Sequence, residues 1–381
     1  MTLPLRVLHV IQNLNHGGMD RLYGGMERLF ADIVLRLDPA RFESHVLVLD
    51  CEGRFPQELE RAATLHRAPA MSRWSMLRPR ALAAQIERLA PQVVHSHAGV
   101  WYKVALAARL SGVPWVVHTE HGRQVPDPWL ARKLGWLASR WTDRVVAVSE
   151  ALRHHLQQRV VARGTEVVLV PNGVDIEAYR PQPANGRVRT ELGLDLRAPV
   201  VGSIGRLEHI KGYDVLIEAF GLLLQGWSLG PRPALVVAGD GSERPRLEAL
   251  VRDRGLASQV RILGWRDDVH DLHATFTLFA MGSRSEGTSV SLLEAMSAGL
   301  CPVVTDVGGN RAVLGPALAH RLAPPEDPAR LAEALREALA DPERLAADGR
   351  AARRRVEEAF SLDAMVRAYE GLYLQAAAAC A

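Results

Sequence analysis

Residues 200–220 of the chain read VVGSIGRLEHIKGYDVLIEAF, and this stretch decides the class of fold. Residues 200–204 form a short apolar run rich in β-branched side chains, which is typical of a strand covered on both faces. Residues 205–212 follow as a turn with a glycine at each end, and an amphipathic helical pattern begins directly after it. The order strand, turn, helix indicates an α/β protein with a parallel sheet.

The same alternation recurs along the whole chain. Strands are predicted at 6–11, 45–49, 93–95, 115–118, 145–148, 167–170, 200–204, 234–238, 260–263, 278–280 and 301–304. Most of these runs are apolar throughout, and the segments between them have the periodicity of amphipathic helices. Two further helices are predicted at 331–339 and 345–356. The pattern predicts doubly wound parallel sheets.

The alternation breaks once, between Pro171 and Pro199, where several prolines and an Asn-Gly pair interrupt the periodicity. We therefore predict two doubly wound domains that face each other across a cleft, because ligands of such sheets bind at the carboxyl ends of strands and at domain interfaces. The predicted boundaries are 1–178 for the first domain, 179–198 for a linker and 199–359 for the second domain. The helical pattern in 360–381 is expected to pack back on the first domain.

Composition excludes several classes of protein. A chain of 381 residues with 48 % apolar side chains is long enough and apolar enough to form two domains. A net charge of +3 gives no reason to expect that the protein binds nucleic acid. Cys51, Cys301 and Cys380 are odd in number and lack zinc spacing, which fits a reducing compartment. No charged leader and no apolar run of about 18 residues is present. We expect a cytoplasmic protein.

The segment EGTSVSLLE at 286–294 carries the most specific chemical signal. Thr288 or Ser289 can cap a helix whose free N–H groups attract a diphosphate, and Gly287 frees the backbone there. Glu286 and Glu294 would lie about 9 Å apart along such a helix. That separation suits binding the hexose and the ribose at opposite ends of a nucleotide sugar. Two unrelated glutamates near a helix cap would explain the segment equally well if it stood alone.

The turn after the strand at 200–204 places Arg206 and Lys211 five residues apart, between glycines. Arginine supplies a bidentate fork and lysine a point charge, so the two can converge on a diphosphate. Both would offset the negative charge that develops on a departing nucleotide diphosphate. The alternative is a pair of solvated cations in a loop.

The sequence HTEHG at 118–122 ends a predicted strand of the first domain. A histidine in this position could donate a hydrogen bond to a sugar hydroxyl. A metal site is an alternative, since four histidines lie at strand ends: His95, His97, His118 and His121. The absence of a nearby cysteine and of an H-E-x-x-H helix argues against zinc, and we expect no metal.

Taken in order, these motifs resemble glycosyltransferase family 4, whose members retain anomeric configuration and have the GT-B fold. The matching motifs are GGM after the first strand, TEHG at 119–122, VS at 148–149, PNGVD at 171–175, the stretch from Gly202 to Gly212 that ends in KG, GDG at 239–241, LGW at 263–265, E-x7-E at 286–294 followed by AM, and VGGN at 307–310. The resemblance covers nearly the whole chain. Within the family, the sequence is most similar to bacterial enzymes of exopolysaccharide or other surface-glycan synthesis.

The resemblance implies an architecture of two Rossmann-like domains, with the acceptor on the first and the nucleotide sugar on the second. It implies that Arg206 and Lys211 hold the diphosphate, that Glu286 binds the transferring sugar and that Glu294 binds the ribose. The loop residues Gly287, Thr288 and Ser289 belong to the same donor site. His121 matches the histidine that approaches the sugar, with His118 as a weaker substitute.

The resemblance also implies that backbone amides at Gly17 and Gly18 lie beside the reaction. The expected donor is a UDP- or GDP-linked hexose and the expected acceptor is a glycan or a lipid-linked glycan. No cofactor and no divalent metal is implied. Retention in this family is usually explained by attack on the same face as the leaving phosphate, without a covalent nucleophile.

Three departures from the family pattern stand out. The stretch GGMDRLY at 17–23 is repeated as GGMERLF at 24–30, so two glycine pairs compete for one turn. Gly282 stands where proline is common, and Ala312 stands where an acidic residue often follows the glycine loop. The first departure puts access of the acceptor in question. The second puts the rigidity of a turn in question, and the third concerns a single contact of the glycine loop.

Residues 123–144 combine Trp129, Trp136 and Trp141 with five basic side chains. Aromatic and basic residues on one helix can dock on anionic lipid, which would give a peripheral contact at the inner face of the cell membrane. The alternative is a helix whose leucine stripe, beginning at Leu130, packs on the sheet with solvated cations outside.

Rival functions remain open at this point. A dinucleotide-dependent oxidoreductase would use Asp50 as its ribose-binding acid, but the turn after the first strand lacks G-x-G-x-x-G. A sugar phosphorylase or a nucleotide-sugar epimerase could share the fold. A non-catalytic sugar-binding module would tolerate the loss of Lys211 and Glu286.

Overall fold

The computed structural model describes residues 3–14, 25–50, 56–68, 78–122, 127–183 and 186–379. The chain divides into two compact units, one made of Met1–Asn172 with Leu362–Ala381 and the other of Gly173–Ser361. Each unit contains its own parallel sheet. Residues 179–198, expected as a linker, belong to the second unit.

The first unit is built on a seven-stranded sheet with the strand order β3-β2-β1-β4-β5-β6-β7. Its strands are β1 (Leu5–Ile11), β2 (Phe42–Val48), β3 (Thr64–Arg67), β4 (Val93–His97), β5 (Trp115–Glu120), β6 (Arg144–Ala147) and β7 (Val167–Leu169). All neighbouring pairs are parallel. The carboxyl ends of β1, β4 and β5 therefore lie at one edge of the sheet.

Helices cover both faces of this sheet. They are α1 (Gly25–Arg36), α2 (Gln57–Ala62), α3 (Arg80–Leu89), α4 (Trp101–Leu110), α5 (Trp129–Ser139) and α6 (Glu150–Arg159). One core cluster joins β-strand valines to the inner side of α4, including Val104, Val116 and Val145. Ser149 begins α6 as its N-cap and accepts a hydrogen bond from the amide of Leu152 at 3.3 Å.

The second unit is built on a six-stranded sheet with the order β10-β9-β8-β11-β12-β13. Its elements are α7 (Gly186–Glu191), β8 (Val200–Ile204), α8 (Tyr213–Gln225), β9 (Ala234–Ala238), α9 (Arg244–Asp253), β10 (Val260–Ile262), α10 (Val269–Thr275), β11 (Leu278–Met281), α11 (Val290–Ser297), β12 (Cys301–Thr305), α12 (Asn310–Leu314), β13 (Leu322–Ala323), α13 (Pro328–Ala340) and α14 (Pro342–Ala359). Two apolar clusters, one on each face of the sheet, form its core.

The last helix, α15 (Leu362–Ala379), belongs to the first unit. Its acidic residues reach the region of α1: Asp363 pairs with Arg36 and Glu370 with Arg41, each at 3.0 Å. Tyr369 is buried among the strands. The end of the chain is therefore an integral layer of the first unit's fold.

The predicted α/β class and the two parallel sheets are confirmed. Every predicted strand is present, but two edge strands were missed. Thr64–Arg67 is polar and half-exposed, and Leu322–Ala323 has only two residues. Edge strands need apolar side chains on one face at most, so they lack the continuous apolar run that identifies the central ones.

Candidate active site

The turn after β8 is held against its neighbours by backbone contacts. The amide of Leu207 donates to the carbonyl of Asp240 at 2.9 Å, and Gly212 has a φ of +56°. A Cβ on Gly212 would lie 2.0 Å from the carbonyl oxygen of Gly282, in the turn after β11. Only glycine allows this approach together with this φ. The close fit brings the loop of Lys211 against the loop of Glu286.

Lys211 and Glu286 meet at the carboxyl edge of the second sheet. The Nζ atom of Lys211 donates to Oε1 of Glu286 at 2.8 Å and to Oε2 at 3.0 Å. Ser283 Oγ donates a further hydrogen bond to Oε1 at 2.7 Å. The Glu286 side chain is only 6 % exposed, so its charge depends on these donors for compensation.

The Glu286 backbone is supported from below by the loop after β12. Gly308 has a φ of +52°, and a Cβ there would lie 1.7 Å from the carbonyl oxygen of Glu286. The amide of Gly309 donates to the carbonyl of Gly287 at 3.0 Å. Asn310 fixes the loop from beneath, because its Nδ2 donates to the carbonyl of Thr305 at 2.9 Å. The VGGN motif thus positions the glutamate loop.

A salt-bridge network joins the two loops from the side. Arg284 donates to both carboxylate oxygens of Asp214 at 2.9 and 3.1 Å and to the carbonyl of His209 at 2.7 Å. Its guanidinium also contacts Glu326. The backbone amide of Arg284 donates to the carbonyl of Ile210 at 2.9 Å. Arg284 and Ser283 support the site although no sequence motif marks them, and Gly308 stands in the VGGN motif without a predicted role.

Arg206 differs from Lys211 in having no such partner. Its side chain is exposed and makes no hydrogen bond or ion pair within the part of the chain that the structure describes. A guanidinium that is not engaged by protein carboxylates is available to an anion. Arg206 and Lys211 thus lie on one loop, but only Lys211 contacts Glu286.

The other predicted donor residues belong to the turn and helix that follow Glu286. Thr288 and Ser289 are buried, and Ser289 occupies the N-cap of α11. Its hydroxyl does not cap the helix: it lies 3.3 Å from Ser291 Oγ and 3.8 Å from the sulfur of Met281. Glu294 is half-buried one turn further along α11. The helix begins directly after the glutamate loop.

In the first unit, a row of histidines lines the carboxyl edge of the sheet. Nε2 of His121, which follows β5, lies 3.4 Å from Nδ1 of His97 at the end of β4. Nδ1 of His121 is buried and has no hydrogen-bond partner among the described residues. Burial lowers the pKa of His121 to about 4, although Glu120 opposes the shift. His121 is neutral at pH 7 and presents one unused ring nitrogen.

Behind this pair, His95 is held by the last helix. Its Nδ1 lies 2.6 Å from the hydroxyl of Tyr373 and its Nε2 lies 2.8 Å from Oγ1 of Thr119. Tyr369 adds a hydroxyl contact to Thr119 at 3.1 Å. The ring centroid of His95 lies 3.9 Å from that of His97. The series of hydrogen bonds that joins Tyr373, His95 and Thr119 therefore ends beside the His97–His121 pair.

The histidine row also contains a possible metal-binding group. Ring nitrogens of His9, His95 and His97 all lie within 4.8 Å of one another, and all three side chains are buried. Burial lowers the pKa of His9 to about 3, and the pKa values of His95 and His97 fall well below the usual 6.5. Because both nitrogens of His95 are already engaged, coordination there would sacrifice one of its hydrogen bonds.

Two remaining predictions have simple outcomes. His118, the weaker sugar-binding candidate, is buried between the sheet and α4. Its ring stacks on Trp101 with centroids 4.2 Å apart, and its Nδ1 lies 2.9 Å from Ser96 Oγ. It is a packing residue. Gly17 and Gly18, with most of the duplicated turn, lie outside the described residues.

Sequence profiles of two families match the chain. Glycosyltransferase Family 4 matches residues 23–178, and Glycosyl transferases group 1 matches residues 186–355. EpsF of Bacillus subtilis, which is named as a putative glycosyltransferase, is 30% identical over an alignment of 366 residues that covers 88% of this chain and 88% of EpsF. A UDP-Gal:alpha-D-GlcNAc-diphosphoundecaprenol alpha-1,3-galactosyltransferase of Escherichia coli is 28% identical over 58% of this chain and 59% of its own.

A solved structure supports the architecture. The crystal structure of Anabaena Alr3699/HepE in complex with UDP and glucose matches with a TM-score of 0.82, covering 96% of this chain and 98% of that chain. Its sequence identity is 22%, so the likeness shows the fold alone. Two Rossmann-like parallel-sheet domains of the GT-B type are thereby established. No helix in the described ranges is long and apolar enough to cross a membrane.

Proposed function

Because this chain belongs to glycosyltransferase family 4, we propose that it transfers a hexose from a nucleotide diphosphate sugar to a glycan or lipid-linked acceptor, with retention and without a metal. The observation that carries this proposal is the contact of Lys211 Nζ with both carboxylate oxygens of Glu286, at 2.8 and 3.0 Å. A cation and an anion held together at the carboxyl edge of a parallel sheet suit the two halves of a sugar diphosphate.

In the proposed site, Glu286 accepts hydrogen bonds from hydroxyls of the transferring hexose and Lys211 contacts the diphosphate. The ammonium group has three donors, so it can keep one bond to Glu286 while it binds a phosphate oxygen. Arg206, exposed on the same loop, adds a bidentate fork. Glu294 on α11 binds the ribose. The family resemblance assigns a sugar hydroxyl to His121 of the first unit, and its Nδ1 has no hydrogen-bond partner among the described residues.

The transfer breaks the bond between C1 of the hexose and the β-phosphate oxygen, and forms a bond from C1 to the acceptor oxygen. The acceptor proton passes to the departing phosphate on the same face of the sugar. Negative charge on the leaving diphosphate grows as the C1–O bond breaks. Two protein cations offset that charge most when it is greatest, which lowers the barrier without a divalent ion.

We assign UDP as the preferred nucleotide and a lipid-linked glycan as the preferred acceptor. The support comes from a relative: the E. coli galactosyltransferase is named for UDP-Gal as its donor and for a diphosphoundecaprenol-linked acceptor. Synthesis of a surface polysaccharide from the cytoplasmic side of the membrane follows from such an acceptor. A nucleotide-sugar epimerase would bind the same diphosphate, so transfer of the hexose to an acceptor is the reaction that separates the two functions.

The test measures nucleotide release from UDP-glucose, UDP-galactose and GDP-mannose in the presence of EDTA and of a diphosphoundecaprenol-linked glycan as the acceptor. Glu286→Gln removes the sugar-binding carboxylate, and Glu218→Gln removes a carboxylate that pairs with Arg254 on the surface. We expect one donor to be turned over, and Glu286→Gln to lower the rate by about 100-fold or more. Glu218→Gln should leave the rate unchanged.

The anomeric configuration of the product, read by NMR, tests retention separately. An α-linked product from an α-linked donor supports same-face attack. A β-linked product would overturn the retaining step, and activity that appears only with a divalent cation would overturn the metal-free mechanism.

A further inference from the structure

The outer face of α5 carries tryptophan and cationic side chains in alternation. Trp129, Lys133, Trp136 and Arg140 recur at intervals of four, three and four residues. At about 100° per residue these four positions fall within a ~60° arc, so they form one straight stripe. The stripe alternates an indole with a cation along its length.

The stripe faces away from the core of the first unit. Trp129 is 60 % exposed and Trp136 is 43 % exposed, and Lys133 and Arg140 are exposed as well. The sequence allows a stripe of Leu130, Leu134, Leu137 and Trp141 to pack on the sheet. Leu130 is 55 % exposed, whereas the other three are half-buried and Trp141 packs against the core. The buried side of α5 consists of small residues, namely Gly135, Ala138 and Ser139.

Each tryptophan carries a cation against its ring. Lys133 Nζ lies 4.4 Å from the ring centroid of Trp129, and Arg140 Cζ lies 5.2 Å from that of Trp136. Such a pair keeps the positive charge at the surface while the indole remains accessible. An indole is amphipathic and is favoured at the level of lipid headgroups, where one side is apolar and the other wet.

The charge of this surface has one sign. Residues 129–139 contain Arg132 and Lys133 and no aspartate or glutamate. The flanking acids are engaged elsewhere: Asp127 Oδ2 lies 3.2 Å from His155 Nε2, and Asp143 accepts two hydrogen bonds from Arg109 at 2.8 and 2.9 Å. A partner for this face must therefore be anionic and must accept two exposed indoles.

We propose that the stripe of Trp129, Lys133, Trp136 and Arg140 docks on an anionic lipid surface, with the axis of α5 parallel to the bilayer. The indoles and Leu130 enter the headgroup region, and the cations contact lipid phosphates. The helix begins shortly after β5, whose carboxyl end carries His121. Docking here would bring the acceptor edge of the first sheet to the membrane, and only this last clause rests on the proposed function.

The experiment is co-sedimentation of the purified chain with vesicles of phosphatidylcholine alone, or with about 30 % phosphatidylglycerol. The variants are the pair Trp129→Ser with Trp136→Ser and the pair Lys133→Gln with Arg140→Gln. Trp265→Ser is the matched control, because Trp265 is 42 % exposed but lies in the second unit. Melting curves establish that each variant is folded.

The wild type should bind the anionic vesicles and lose that binding above about 0.5 M salt. The cation pair should weaken partitioning about 25-fold, at about fivefold per charge, and the tryptophan pair at least about tenfold. Trp265→Ser should bind as the wild type does. Stabilisation by UDP should persist in all variants, which separates this inference from the proposed function.

Absence of wild-type binding to anionic vesicles, or binding that both paired variants retain, would overturn the proposal. Concentration-dependent dimerisation that the tryptophan pair abolishes would assign the face to a second copy of the chain and would overturn it too.

Discussion

At the carboxyl edge of the second sheet the functional side chains are charged and paired, whereas the corresponding edge of the first sheet is lined by neutral histidines. Lys211 and Glu286 compensate each other at 2.8 Å, and glycines bring their loops into contact. On the first sheet, His9 and His97 are fully buried and keep ring nitrogens without partners among the described residues.

The proposed function accounts for this difference, since it assigns a diphosphate to the second edge and hydroxyl groups to the first. A diphosphate needs cations whose positions are fixed before it binds, since preorganised charge costs nothing at the moment of reaction. Neutral imidazoles can donate or accept with either nitrogen, which suits hydroxyl groups of a sugar or an acceptor. The comparison predicts that the loss of one charge at the second edge lowers the transfer rate. It also predicts that acid lowers the stability of the protein through the histidines of the first edge.

The largest effect is expected for Lys211→Ala. It removes the cation that we propose binds phosphate, and it leaves the nearly buried Glu286 with Ser283 as its remaining side-chain donor. We expect the transfer rate to fall about 100- to 1000-fold. Steady-state nucleotide release measures the change, and Arg252→Ala, which removes an exposed cation of the same unit, is the matched control. A fall of less than about threefold would separate Lys211 from the reaction.

Gly308→Ala tests how the glutamate loop is supported. Its Cβ would need the position 1.7 Å from the Glu286 carbonyl oxygen, so the loop must move. Gly255→Ala is the control, because Gly255 has a similar φ of +66° but open space around it. Chemical denaturation should show a loss of about 1–2 kcal/mol for the control and at least about 3 kcal/mol for Gly308→Ala.

Equal losses in the two glycine variants would mean that only φ matters, and the supporting role of Gly308 would fail.

Arg206→Ala should separate binding from stability. The exposed guanidinium contributes no ion pair within the described residues, so the free energy of unfolding should change by less than about 0.5 kcal/mol. Affinity for UDP should fall about tenfold, because a charge-assisted contact to phosphate is lost. Calorimetric titration measures the affinity. Unchanged affinity would show that Lys211 alone holds the diphosphate.

The histidine edge should make the protein sensitive to mild acid. His9 has a folded pKa of about 3 against 6.5 when unfolded, so below pH 6.5 the unfolded chain takes up a proton that the folded chain does not. Stability is complete above that pH and declines as the pH falls towards the folded pKa. Between about pH 7.5 and pH 5.5 the loss is about 1.4 kcal/mol for each such histidine.

His9→Phe keeps the ring and removes one titration. Denaturation at both pH values should show a smaller acid-dependent loss in this variant, by about 1.4 kcal/mol. The same loss as in the wild type would mean that His9 is not held neutral by burial.

The fold could be predicted because its central strands are continuous apolar runs, as in residues 200–204 and 234–238. The order of strands within each sheet could not, since pairing depends on contacts far apart in sequence. The division of the chain is also decided by such contacts: residues 173–198, divided in our prediction between the first domain and a linker, belong with the second unit. Helix α15 lies in the first unit, where the helical pattern of 360–381 was expected to pack.

The site was predicted unevenly for the same reason. Lys211 and Glu286 stand in short motifs whose residue types alone indicate their chemistry, and the structure brings the two side chains into contact. Arg284 and Ser283 act through partners that are distant in sequence or lie in a turn, so no local pattern marks them. His118, the weaker candidate, lies within β5, and alternation along that strand points it to the face covered by α4, where it stacks on Trp101.

The most direct test of the donor site is a thermal titration with UDP, GDP and ADP in the presence of EDTA, for the wild type and for Lys211→Ala. A nucleotide at 100 times its dissociation constant should stabilise the protein by about 2.7 kcal/mol. We predict a shift in melting temperature with UDP that Lys211→Ala abolishes. No shift with any of the three nucleotides, or an equal shift in Lys211→Ala, would contradict the assignment of this edge as a nucleotide-sugar site.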